Sequence, residues 1–74
     1  MAKSNFSNNC YNLVTQLSQK LKAIWVYDKM IQDARASMNK DVEKVLIKIR
    51  EDDMKHAEML HNLIVKLAKR GKFK

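Results

Sequence analysis

Eight positions of this chain, Val42, Leu46, Ile49, Asp53, His56, Leu60, Leu63 and Leu67, follow one another in alternating steps of four and three. Such steps keep every side chain on one stripe of an α-helix, the stripe a helix turns toward a partner. A second series lies upstream: Cys10, Val14, Leu17, Leu21, Ile24, Asp28, Ile31, Arg35 and Met38. The chain has no proline, and its single glycine is Gly71, so no residue between Cys10 and Leu67 breaks a helix outright. The pattern predicts an all-α fold of two long helices.

The ends of those helices are marked by residue chemistry. Ser7, Asn8 or Asn9 suits an N-cap, placing a flexible tail at 1–8 and helix one at about 9–36. Ser37, Met38 and Asn39 interrupt the pattern. Asn39 suits the N-cap of helix two, at about 40–70, whose first turn carries Asp41 and Glu43 where the positive end of the helix dipole favours acids. Gly71 stands where a left-handed residue closes a helix, leaving a basic tail at 71–74. Each helix would be about 45 Å long at 1.5 Å per residue. A tight turn then makes an antiparallel hairpin spanning 9–70.

A domain of 74 residues is marginal alone, since a chain of this size buries only about 60% of its unfolded surface. A lone hairpin also covers one side of each stripe and leaves Leu13, Tyr27 and Ala34 on one edge and Tyr11 and Trp25 on the other. Two hairpins packed together cover both, so the expected assembly is a homodimer, or a higher homo-oligomer, forming a four-helix bundle. One cysteine, Cys10, allows no intrachain disulfide, and no apolar run has the length of a signal peptide core or a membrane span. The expectation is a cytoplasmic protein that does not enter a membrane.

The formal charge of +7 is unevenly spread. Residues 1–27 carry three bases and no acid, and 28–58 carry seven bases against eight acids; the remaining five bases are Lys66, Lys69, Arg70, Lys72 and Lys74. Cations at a helix C-terminus complement its dipole and keep a small apolar assembly soluble. The same five residues form the candidate surface for nucleic acid or an acidic protein. Phe73 is the one aromatic among them, too few for stacking on single strands.

The seam contains two residues that hydrocarbon packing does not explain. Asp53 and His56 are three apart, one turn above each other, and burial of either without a partner costs several kcal/mol. In a hairpin turning near residue 38, opposed positions sum to roughly 77. That sets Asp53 near Ile24 and His56 near Leu21, with Lys20 and Tyr27 flanking the level and Asp28 one turn closer to the loop. A metal, a salt bridge or mutual hydrogen bonding satisfies such a group. Glu58 and His61 repeat the same spacing, but Glu58 lies about 200° around the helix from His56, away from the seam.

The segment Ile49 to Leu60 resembles the second helix of the ferritin-like superfamily, in which a Glu-x-x-His motif is followed by an alanine and a leucine, here Asp53, His56, Ala57 and Leu60. Leu21 to Tyr27, with Ala34 downstream, is similar to the first helix of that family, and the 26-residue interval from Tyr27 to Asp53 suits its tyrosine-to-glutamate spacing. The resemblance covers about residues 12–68, one hairpin, as in half-ferritins, where two hairpins pair to complete the bundle. It implies a ferritin-like four-helix bundle and a di-iron ligand set. The family takes a glutamate seven residues before the tyrosine, where this chain has Lys20, and its motif glutamate is Asp53 here.

Three readings follow. In the first, the protein is a structural or interaction module without catalytic residues or cofactor, and a cluster of Lys20, Tyr27, Asp53 and His56 replaces the metal centre. In the second, Asp53 and His56 from each of two subunits, with Asp28 supplying a helix-one carboxylate, bind iron, manganese or another divalent metal at the interface. In the third, the C-terminal bases dock the hairpin on nucleic acid or an acidic partner.

Overall fold

A computed structural model describes residues 7–73. Two helices account for nearly all of them: α1, Asn8–Ala36, and α2, Lys40–Lys69. They pack along their length as a hairpin of 50 × 24 × 12 Å, one helix thick. Helix α1 begins one residue before the expected start, because Ser7 takes the N-cap and accepts from the Cys10 amide at 3.1 Å. Asn39 caps α2 by accepting from the Val42 amide. Residues 1–6 of the expected tail, and Lys74, lie outside the described residues.

Both helices end in the same backbone device. After α1, the Met38 amide donates to the Arg35 carbonyl and the Asn39 amide to Ala34, with Met38 at φ 58°. After α2, Gly71 donates to Ala68 and Lys72 to Leu67, with Gly71 at φ 68°. These are Schellman closures, in which a left-handed residue folds the chain back onto carbonyls the helix has left unpaired. Glycine takes that conformation freely, whereas methionine holds it against its Cβ.

The contact between the helices is rotated from the expected stripes. On α1 the covered positions are Cys10, Leu13, Leu17, Lys20, Ile24, Tyr27, Ile31 and Ala34, while Val14, Leu21, Asp28 and Arg35 are exposed. On α2, Leu46, Asp53, Leu60 and Leu67 stay on the contact with Arg50, Ala57 and Ile64, and Val42, Ile49, His56 and Leu63 turn out. The cross-helix pairs Arg35 and Glu43, and Asp28 and Arg50, each sum to 78, close to the expected register of 77. The rotation puts Ala34 and Ala57 in the contact, and small side chains there let the backbones approach closely. Half of each apolar stripe is left uncovered.

Burial is correspondingly thin. Among the described residues, Cys10, Ile31, Ala34 and Ala57 are the buried apolar ones, and no side chain falls below 2% exposure. Trp25, Met59, Val45, Tyr11 and Leu21 each expose more than half their surface. A stable domain needs at least two packed layers around a core, and one chain supplies one.

Candidate functional site

Near mid-length of both helices, Lys20 of α1 reaches across to Asp53 of α2. The Lys20 Nζ donates to Asp53 Oδ1 at 3.1 Å, and His56 Nδ1 lies 3.4 Å from the same oxygen. The Asp53 side chain is 13% exposed, Lys20 31% and His56 52%. The carboxylate is therefore the enclosed member, held between a cation from the opposite helix and an imidazole one turn along its own. The hydrogen bond from Lys20, reinforced by that ammonium's charge and by His56, holds the Asp53 carboxyl below the ordinary aspartate value of 3.8, against partial burial acting the other way. No buried side-chain nitrogen or oxygen among the described residues lacks a partner.

The other expected members of the cluster sit elsewhere. Asp28 does not join Asp53 and His56; its carboxylate accepts from Arg50 Nε, with half its side chain in solvent. Tyr27 is half-buried and lines a shallow groove with Gln19, Lys22, Ala23, Val26 and Met30, and it is not among the groups that bond Asp53. Glu58 and His61 are both exposed, and His61 meets Asn62. No three His, Cys, Asp or Glu side chains among the described residues converge as a metal site would require.

Two further ion pairs cross between the helices without a signal in the apolar stripes. Arg50 holds Asp28, and Arg35 holds Glu43 through its Nε. Both pairs sum to 78, so the register rule that set Asp53 opposite Ile24 contains them. The register fixes height along the helices but not angle around them, so it does not by itself separate Asp28 from the Asp53 level. Together with Lys20 and Asp53, these pairs tie α1 to α2 at three levels.

At the far end of α2, Lys66, Lys69, Arg70 and Lys72 are exposed. Lys66 and Lys69 occupy the last turn, where cations face unpaired carbonyls and the negative end of the dipole. Lys74 lies outside the described residues. Among the described residues no helix is long and apolar enough to cross a membrane.

No protein-family model matches the chain, and neither the curated proteins nor the solved structures searched gave a match.

Proposed function

We propose that this chain is a self-associating structural or interaction protein of ferritin-like plan, in which two hairpins complete a four-helix bundle and a Lys20–Asp53–His56 cluster stands where the family holds metal. The observation that carries this reading is the Lys20 ammonium 3.1 Å from Asp53. It supplies, from the protein itself, the positive charge that a bound cation would bring to the carboxylate. The donor set does not fit a di-iron centre. Such a centre takes a glutamate from each of two helices and a Glu-x-x-His pair from each of the other two, whereas the helix-one position is cationic and Asp28 is held by Arg50.

A buried or half-buried ion pair adds little net stability but fixes how helices align, because shifting the register strands both charges. That is a role for a scaffold rather than for a catalyst. The test combines metal analysis with a double-mutant cycle. Protein purified without chelator and incubated with ferrous iron is expected to carry no stoichiometric metal. Lys20→Met and Asp53→Leu are each expected to lower the melting temperature, and the double variant to lose less than the two singles combined, or to gain. Stoichiometric iron or manganese lost on His56→Ala would replace this reading with an interfacial metal site.

A further inference from the structure

The two sides of the hairpin differ in charge, and that difference selects one of them as the surface that a second copy covers. Rotation by the 3.5-residue repeat of the contact sorts the exposed residues. One side carries Met30 of α1 with Val42, Val45, Ile49, Met59 and Leu63 of α2. His56 and Gln16 line one groove on this side with Met59, Leu60 and Leu63, and Val42 and Val45 line another with Leu46 and Asp41. In the two rows nearest the helix contact, Gln16, Ala23 and Met30 face Val42, Ile49, His56 and Leu63, with no lysine, arginine, aspartate or glutamate among them. The other side exposes Tyr11, Val14, Leu21, Trp25, Met54 and Val65, but its central groove is lined by Asp28, Arg35, Arg50 and Glu51, and two ion pairs cross it.

We propose that a second copy of the chain docks on the Val45–Met59 side and leaves Trp25 in solvent. This rests on the self-association proposed above and names its surface. The cores of protein interfaces are depleted of charge, and desolvating the Asp28–Arg50 and Arg35–Glu43 pairs would oppose docking on the other side. A face of 50 × 24 Å offers on the order of 1,000 Å² per copy, above the roughly 800 Å² per partner of a standard stable interface. Lys20 and Asp53 also lie toward the chosen side near mid-length of both helices, and at 31% and 13% exposure they have less hydration to lose than Asp28 at 48% or Arg35 at 60%. Packing about a two-fold axis through the centre of that face sets the two clusters opposite each other, so the pair of polar centres becomes the middle of the assembly.

Trp25 is the single tryptophan and is 74% exposed, so it reports on the other side directly. In the concentrated wild-type dimer, acrylamide quenching of Trp25 is expected to remain that of a largely exposed indole. Ile49→Glu and Met59→Glu are each expected to weaken dimerisation by about tenfold or more, since the new charge must be buried, while Leu21→Glu leaves it unchanged and far-UV circular dichroism stays helical. Shielding of Trp25 on association, or loss of the dimer in Leu21→Glu alone, would overturn the choice of face and leave self-association standing. A wild-type chain that is monomeric at every concentration would remove the underlying reading as well. Should the glutamate variants unfold, the wild-type quenching decides.

Discussion

At the level of single residues, Asp53 is the group whose environment has the clearest consequence. Its folded carboxyl holds a proton less tightly than an unfolded aspartate because Lys20 hydrogen-bonds the ionised form. The unfolded chain therefore binds more protons as pH falls below about 4, and the stabilisation, fully present above that pH, is lost as pH drops through the folded value. Thermal melts followed by circular dichroism across the acid range are expected to show a higher midpoint for wild type at neutral pH than in acid, with a shallower fall on the acid side in Asp53→Asn; an identical fall would mean that the carboxylate is not held by Lys20. The polar triplet was legible in the sequence because a charge in an apolar heptad is conspicuous and the 77 rule placed Lys20 beside it. Tyr27 and Asp28 were assigned to the same layer because the rule fixes height along the helix and not angle around it. Asp28 lies some 50° further around α1 than the contact, within reach of Arg50.

Among the elements, the two helix ends offer a matched comparison. Met38 and Gly71 perform the same left-handed closure at φ 58° and 68°, yet only one of them is glycine. Met38 is 83% exposed, so its side chain contributes little packing. Met38→Gly is expected to stabilise the hairpin by about 0.5–1 kcal/mol, the relief of left-handed strain exceeding glycine's extra freedom in the unfolded chain. Gly71→Ala is expected to destabilise by about 1 kcal/mol, although no atom crowds its Cβ position, because the strain is in the backbone. Thermal melts of the two variants check both signs. Helix limits were readable to within a residue because capping depends on local chemistry, with Ser7, Asn39 and Gly71 each suited to its position. The facing of the helices was less so. A four-three stripe marks an apolar band about two rows wide, and a hairpin covers only the rows that hold Ala34 on one helix and Ala57 on the other.

Across the whole molecule, the governing fact is thickness. A hairpin 12 Å deep with four buried apolar residues leaves most of its hydrocarbon in water, and layered architectures are stable because each layer covers another. The three cross-helix ion pairs hold the register of α1 on α2 but are partly exposed, and exposed pairs add little net stability. On the self-association proposed above, the missing cohesion comes from a second copy. The sequence carries this as a surplus, namely stripes wider than one partner helix can cover. Sedimentation equilibrium at micromolar concentration tests it most directly. A mass of twice 8.7 kDa, or a higher multiple, accompanied by helical circular dichroism that weakens on dilution, is the expected result; a stably helical monomer of 8.7 kDa would contradict it.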